Sequence, residues 1–421
     1  MSHRIRPDKV VVLDDDPTGT QSAHDVDMLL DKPREGLAAF AADDRKAIYV
    51  LTNTRAKTPT ETSEHIAALA GMITELVGPD TLVVLRGDST LRGHIALEMT
   101  LLGLAQGVGI VVPAFPAGGR TTRQGVHFVR TPDGELPAAA TEYARDSVFG
   151  YSHSRLVDWA REVGLNGPNS TIELTELRAG GLATIRDALL AAPPGSVLLP
   201  DAETDDDIGL IAQGIEAARE TGQRVVVRSA APLAATLAGT SACVVPPRAA
   251  RSVLVACGSH TDGASRQLER LSTPARLLPS AELLLDPAHD ATAELDELAA
   301  SVRTDLDTRG LAVVATPRQR SLTHGDLEQG AVIMEALVRV VRASAPSADT
   351  VVTKGGITGA EIATRALGAT VASVQGQVVT GVPIWQLHRA DTAGHQQVVV
   401  PGNVGGESVL ADIIELLRRP A

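Results

Sequence analysis

From Gly87 to His94 the chain reads Gly-Asp-Ser-Thr-Leu-Arg-Gly-His, which brings a carboxylate, two hydroxyls and a guanidinium into one short loop. Arg92 has the planar fork that grips a carboxylate with two parallel hydrogen bonds, and Asp88 and Ser89 can bond hydroxyl groups. The apolar run Thr81 to Leu85 precedes the loop and reads as a buried parallel strand, while Ile95 to Gln106 reads as a helix. In open α/β sheets ligands bind outside the carboxyl ends of the strands, which is where this loop would stand. A simpler role is also open: Asp88 or Ser89 capping the helix that follows.

Repetition favours a site. Val10 to Leu13 ends in Asp14-Asp15-Asp16-Pro17-Thr18-Gly19-Thr20-Gln21, and Ala47 to Leu51 ends in Thr52-Asn53-Thr54-Arg55. Gly109 to Val112 ends in Pro113-Ala114-Phe115-Pro116-Ala117-Gly118-Gly119-Arg120-Thr121-Thr122. Four strand-like runs thus deliver acids, amides, hydroxyls and arginines to what should be one sheet edge. Such an edge is suited to a small hydroxylated anion.

The elements that must position these residues follow from the periodicity. Strand-like runs alternate with helical ones, so the chain is expected to be α/β, built as two α/β domains, each with a mostly parallel sheet. Thr60 to Val77 has a helical apolar face with Thr60 or Thr62 as cap. Ser196 to Leu199 and Arg224 to Val227 add strands, and Asp205 to Asp207 suit the positive end of a helix dipole. Pro132-Asp133-Gly134 marks a turn. A small-residue stretch ending in Pro246-Pro247 reads as a linker, which divides the chain into residues 1–236, a linker at 237–251 and residues 252–421.

With 421 residues, two domains are the natural expectation. A net charge of -13 and 2% aromatic residues argue against nucleic acid as a partner, since a duplex wants a basic face and single strands want stacking rings. Two cysteines, Cys243 and Cys257, are too few for a disulfide framework or a zinc cluster. No apolar stretch is long enough to span a bilayer and no signal-peptide core opens the chain, so the expected location is the cytoplasm, away from membranes.

The second half repeats the alternation with different loops. Val253 to Cys257 leads into Gly258-Ser259-His260-Thr261-Asp262-Gly263, and Leu311 to Ala315 leads into Thr316-Pro317. Thr350 to Thr353 leads into Lys354-Gly355-Gly356-Ile357-Thr358-Gly359, and Gln397 to Val400 into Pro401-Gly402-Asn403-Val404-Gly405-Gly406. Glycine lets backbone N–H groups approach a phosphate, and Lys354, Ser259 or Thr358 could add charge or hydroxyl bonds. One such loop would be ordinary turn chemistry; three in one domain suggest nucleotide phosphate binding. The P-loop and Rossmann fingerprints are absent, as are a His-Glu-x-x-His pair and a Gly-x-Ser-x-Gly elbow. His24, His94, His127 and His260 each adjoin a polar motif and suit hydrogen-bonding roles.

Together these motifs resemble the four-carbon acid sugar kinases, nearly from end to end. Asp15-Asp16-Pro17-Thr18-Gly19 is similar to the family's Asp-Asp-x-Thr-Gly signature, and Asn53-Thr54-Arg55 to a contracted Asn-Thr-x-Ser-Arg element. Asp88-Ser89-Thr90-Leu91-Arg92-Gly93 matches its Asp-Ser-Thr-Leu-Arg-Gly, and Pro113-Ala114-Phe115-Pro116 with Gly119-Arg120-Thr121-Thr122 also matches. Gly258-Ser259, Lys354 to Thr358, Gly376-Gln377 with Gly381-Val382-Pro383, and Gly402 to Gly406 resemble its nucleotide-domain motifs. The triple acid, the Thr-Asn-Thr-Arg form and the Gly-Ser-His loop depart from the common pattern.

The resemblance implies ATP-dependent phosphorylation of the terminal hydroxyl of threonate, erythronate or 3-oxo-tetronate, with the acid on the first domain, ATP on the second and the active site in an interdomain cleft. Arg55 and Arg92 are expected to clamp the carboxylate, with Asp15, Asp88, Ser89 and Thr90 on the rest of the acid. Asp15 or Asp16 would be the general base. Ser259, Gly355, Gly356, Ile357, Thr358, Gly402 and Gly405 would line the ATP site. Mg²⁺ is expected with the nucleotide and not in a protein cage. Hinging near Leu237 to Arg251, closure on both ligands and assembly as a homodimer belong to the same expectation. The alternative is a kinase-like sugar-acid sensor without turnover; a dehydrogenase lacks its fingerprint.

Overall fold

The computed structural model describes residues 9–131, 134–318, 327–389, 393–402 and 404–419. The chain forms two compact units, and the break between them falls between Ser241 and Ala242. The first unit runs to Val26 and resumes from Lys32 to Ser241, while Asp27–Asp31 belongs with the second unit. Among the described residues no helix is long and apolar enough to cross a membrane.

In chain order the strands are β1 (Val10–Asp14), β2 (Val26–Leu29), β3 (Ala47–Leu51), β4 (Leu82–Arg86), β5 (Val108–Val112), β6 (Arg120–Arg123), β7 (Val126–Thr131), β8 (Gly134–Pro137), β9 (Asn169–Ile172), β10 (Val197–Pro200) and β11 (Val225–Ser229). The main sheet of the first unit has the order β3-β1-β4-β11-β5-β10-β9, and every pairing is parallel. Its central strands β1, β5 and β11 are buried along their whole length, which is why they read as unbroken apolar runs and not as alternating ones. β6, β7 and β8 form a separate antiparallel sheet.

Register fixes the site. Asp14 stands opposite Leu51 and Arg86, and Ser229 stands opposite Arg86 and Val112. The carboxyl ends of five neighbouring strands therefore finish level, and their loops open on one edge.

The local elements correct two expectations. The helix Pro59–Leu76 is capped by Thr58 in a box with Glu61, not by Thr60 or Thr62, because Pro59 has no N–H and fits the first helical position. The helix after the Gly87 to His94 loop covers only Ile95–Leu101; Gly103, at φ 88, turns the chain into a short 3₁₀ stretch, Leu104–Gln106. Asp205–Glu220 is helical with Asp205, Asp206 and Asp207 in its first turn, and Thr204 caps it. Pro132 and Asp133 of the anticipated turn lie outside the described residues.

The second unit contains β12 (Val253–Cys257), β13 (Arg276–Leu277), β14 (Leu311–Ala315), β15 (Thr350–Lys354), β16 (Val371–Val379), β17 (Val382–His388) and β18 (Ala393–Val400). Its order is β13-β14-β12-β15-β18-β17-β16, parallel from β13 to β18 and antiparallel for the hairpin β16–β17 and its pairing with β18. The residues Asp27–Asp31 continue this sheet beyond β16: Leu30 N–H donates to the Thr370 carbonyl at 2.9 Å and the Ser373 hydroxyl to Asp27 Oδ1 at 2.6 Å.

The anticipated linker makes several specific contacts. Leu237 and Ala238 end the helix Ala231–Ala238. Further on, Val245 N–H donates to the Gln377 carbonyl at 2.8 Å, Arg248 N–H to Gln396 Oε1 at 2.9 Å and Ala250 N–H to the Leu417 carbonyl at 2.7 Å.

Candidate functional site

Asp14 is the last residue of β1 and is fully buried. Its Oδ1 accepts from Arg86 Nη1 at 2.8 Å. Its Oδ2 occupies the place that a Cβ on Gly19 would take, so the 3₁₀ turn Pro17–Ser22 can close over it only with glycine there. Burial pushes the Asp14 carboxyl up to about 7, against the pull of Arg86. Asp16 caps the same turn, accepting from Thr18 N–H at 2.7 Å, and pairs with Arg55. Burial opposes ionisation of Asp16, but Arg55, Arg86 and Thr18 together hold its carboxyl below the usual range.

Asp15 lies between them, buried, with three guanidinium groups around it. Arg228 Nη2 donates to its Oδ2 at 3.1 Å, while Arg55 Nε and Arg86 Nη1 stand 3.7 Å from its Oδ1. Asp15 Oδ1, Arg55 Nε and Arg86 Nε are all buried without a hydrogen-bond partner. Leaving such atoms unpaired costs about 1–3 kcal/mol each, so a cluster of them marks a place built for something else.

Arg55 sits in the 3₁₀ turn after β3, 3.7 Å from Asp88 Oδ1 as well as against Asp16 and Asp15. Arg92 donates through Nε to Asp88 Oδ2 at 2.7 Å, through Nη1 to Asp146 at 3.2 Å, and stacks 5.2 Å from the Tyr143 ring centroid. Burial disfavours the Asp88 anion, yet Arg55, Arg92 and the Thr90 hydroxyl hold its carboxyl well below the usual range. Asp15, Asp16, Arg55, Asp88, Thr90 and Arg92 are thus brought together. Asp88 is committed to these partners, and the helix Ile95–Leu101 has no side-chain cap at His94, so capping by Asp88 or Ser89 does not occur.

Ser89 enters through its backbone. Its carbonyl accepts from His127 Nε2 at 2.8 Å, which makes Nδ1 the acceptor for the Thr122 hydroxyl at 2.9 Å. Burial lowers His127 to about 4, in keeping with a neutral ring. The Thr90 carbonyl accepts from Tyr151 OH at 2.9 Å, and Leu91, at φ 70, holds the left-handed conformation that non-glycine residues rarely take.

Arg86, Glu98, Asp146 and Arg228 carry no motif of their own. Arg228 lies one residue before the end of β11 and pairs with Glu98, whose other oxygen accepts from the Thr54 hydroxyl at 2.6 Å. Burial raises the Glu98 carboxyl and Arg228 opposes it. A Cβ on Gly87 would stand inside the Arg228 guanidinium, and one on Gly93 would lie 2.9 Å from its Nη2. The visible signal for Arg228 was a charge at the end of a strand buried on both faces.

In the second unit Cys257 stands opposite Ala315 and Lys354, and Lys354 opposite Val400, so the loops with Ser259, Gly355 and Gly402 start level. Lys354 is fully buried and donates to the Pro401 carbonyl at 2.7 Å. Its ammonium, lowered to about 8 by burial, ties strand end to loop through that carbonyl. Ser259 N–H donates to the Lys354 carbonyl at 3.2 Å, and Gly355 N–H to the Val400 carbonyl at 2.9 Å. Gly355, at φ 117, precedes the helix Gly356–Glu361, in which Thr358 is buried and Ile357 exposed. A Cβ on Gly258 would meet the Thr358 hydroxyl, so this glycine serves close packing of two loops. Gly402 lies near the Ser259 hydroxyl, Gly405 takes φ 85, and Asn403 between them is outside the described residues. His260 bonds the Pro317 carbonyl at 3.1 Å, and Gly376 lies in β16. Among the described residues no group of three or more His, Cys, Asp or Glu could hold a metal ion.

Residues 10–237 match the family model of a sugar-binding N-terminal domain, and residues 254–410 that of a nucleotide-binding C-terminal domain. The chain is 28% identical over 394 residues to a D-threonate kinase of Bordetella bronchiseptica, covering 91% of this chain and 89% of that one. It is 35% identical over 127 residues to a D-threonate kinase of Cupriavidus necator, covering 30% of this chain and 29% of that one. The fold is shared with crystal structures of a Salmonella typhimurium protein, at TM-score 0.71, 20% identity and coverage of 96% and 98%, and of a Haemophilus influenzae protein, at TM-score 0.67, 17% identity and coverage of 97% and 100%.

Proposed function

We propose, from the premise that the chain belongs to the four-carbon acid sugar kinase family, that it is an ATP-dependent kinase acting on the terminal hydroxyl of a four-carbon sugar acid such as D-threonate. The observation that carries this reading is the set of unpaired buried atoms, Asp15 Oδ1 and Arg55 Nε, in a cluster that also holds Arg92 and Asp88. A hydroxylated carboxylate offers what these atoms lack: an anion for the guanidinium groups and hydroxyl protons for the carboxylates.

Phosphoryl transfer asks a protein mainly for positioning and charge stabilisation. Arg55 and Arg92 take the substrate carboxylate, and Asp88 and Thr90 hold its hydroxyls, with the Ser89 backbone fixed behind them by His127. Asp15 is favoured over Asp16 as general base, because Asp16 is occupied as a cap and as the Arg55 partner. Arg55 Nε and Arg86 Nη1 both stand 3.7 Å from Asp15 Oδ1, beyond hydrogen-bond reach, so this oxygen is left for the attacking hydroxyl. The hydroxyl proton passes to Oδ1, the oxygen bonds the γ-phosphorus of ATP, and the bond to the ADP oxygen breaks with its electron pair leaving on ADP.

ATP is assigned to the second unit, with Ser259, Gly355, Gly356, Ile357, Thr358, Gly402 and Gly405 around the phosphates. The acid cluster does not fit a Mg²⁺ cage, because Asp14, Asp15, Asp16 and Asp88 each face an arginine. Mg²⁺ is therefore read as the counterion of ATP. A coupled ADP-release assay over a panel of four-carbon acids tests the reading. ADP release dependent on one of these acids is expected, whereas acid binding without turnover would make the protein a sensor.

A further inference from the structure

Arg228 comes from β11, over two hundred residues after Asp15, and its guanidinium is 5% exposed. One arm meets Asp15 Oδ2 at 3.1 Å and the other meets Glu98, which the Thr54 hydroxyl holds from its far side at 2.6 Å. Gly87 and Gly93 leave open the slot through which it passes, since a side chain at either would crowd it. A buried guanidinium with two carboxylate partners is costly to desolvate, and general packing does not demand it. Two carboxylates and two missing side chains converge on one arginine, and only one oxygen of Asp15 is engaged by it.

Resting on the kinase reading, we infer that Arg228 is a positioning residue, which locks the Asp15 carboxylate through Oδ2 so that Oδ1 alone is left to take the substrate's hydroxyl proton. Glu98 balances the charge of the arginine and Thr54 fixes Glu98. The chain from Thr54 through Glu98 and Arg228 to Asp15 thus joins the loop after β3, the helix Ile95–Leu101 and β11 to the end of β1. Misplacing a reacting group by about 1 Å can cost on the order of 10²-fold in rate, so loss of this lock should appear in turnover.

The test compares Arg228→Lys, Asp15→Asn and the two combined, with kcat, the KM for D-threonate and ATP, and the melting temperature measured for each. Arg228→Lys is expected to lower kcat about 10²-fold with small changes in both KM values. Combined with Asp15→Asn it should add almost nothing, because both act through one carboxylate. Additive losses, or a lowered melting temperature with normal kcat, would overturn the inference. Arg228→Leu with Glu98→Gln removes both buried charges, which guards against a variant that merely fails to fold; recovery of kcat in that pair would mean that Arg228 only neutralises Glu98. Lack of turnover in the parent protein with every acid would overturn the kinase reading itself and this inference with it.

Discussion

Asp88 and Arg92 hold each other, Nε to Oδ2 at 2.7 Å, while Asp146 takes a second arm of the same guanidinium at 3.2 Å. The two residues expected to touch different parts of a ligand are therefore partners before any ligand arrives. Such preorganisation limits the side-chain entropy lost on binding. Arg92→Ala should raise the KM for the acid about 10- to 100-fold, the worth of a charge-assisted hydrogen bond, and leave the KM for ATP unchanged. Steady-state kinetics with each substrate varied in turn would check it; a change confined to ATP would refute the assignment.

Asp15 and Asp16 should separate by which constant their loss affects. Asp15→Asn is expected to lower kcat by ~10²–10⁴-fold with little effect on binding. Asp16→Asn should instead lower the melting temperature and raise the KM for the acid, since Asp16 caps the 3₁₀ turn and anchors Arg55. Near-normal turnover in Asp15→Asn would move the base elsewhere.

Lys354→Met should destabilise the protein by about 1–3 kcal/mol in urea with no nucleotide present, because it strands the Pro401 carbonyl in a buried place. Unchanged stability together with lost ATP affinity would instead mean that the ammonium serves a phosphate.

Stability should depend on pH in opposite senses through two buried groups. Burial raises Asp14 from 3.8 to about 7, so its folded form keeps a proton that the unfolded chain gives up; that contribution is full below 3.8 and lost as pH rises through 7. Burial lowers His127 from 6.5 to about 4, so its contribution is present above 6.5 and lost as pH falls through 4. Asp14→Asn should therefore lose more stability on acidification than the parent, and His127→Gln should decline relative to the parent as pH rises. Urea unfolding at about pH 5 and about pH 8 reads both slopes; identical slopes in all three proteins would refute the assignment.

The parallel strands were legible because burial on both faces leaves an unbroken apolar run, as in Val10 to Leu13 and Val253 to Cys257. The loop acids and arginines were legible because they follow such runs directly. Arg228 and Glu98 were not: a lone charge beside an apolar run does not say which distant partner it will meet, and theirs lie 213 and 130 positions apart in the chain. The helix cap at Thr58 was missed for a local reason, since Pro59 looks like a breaker but starts the helix. Lys354 beside two glycines gave no sign of its full burial or of its bond to the Pro401 carbonyl, because both depend on a loop 47 residues further on.

The Asp27–Asp31 segment, which continues the second unit's sheet beyond β16, has a consequence for synthesis and dissection. It leaves the ribosome well over three hundred residues before β16, the strand it joins (Asp27 and its partner Ser373 are 346 positions apart), and until the C-terminal part emerges its backbone amides must find water or other partners. A fragment begun at Ala242 would carry β16 with its outer row of amides bare, the kind of open edge that recruits other chains. Such a fragment should aggregate on expression, and supplying the missing strand by fusing residues 26–31 to it through a flexible tether should restore solubility.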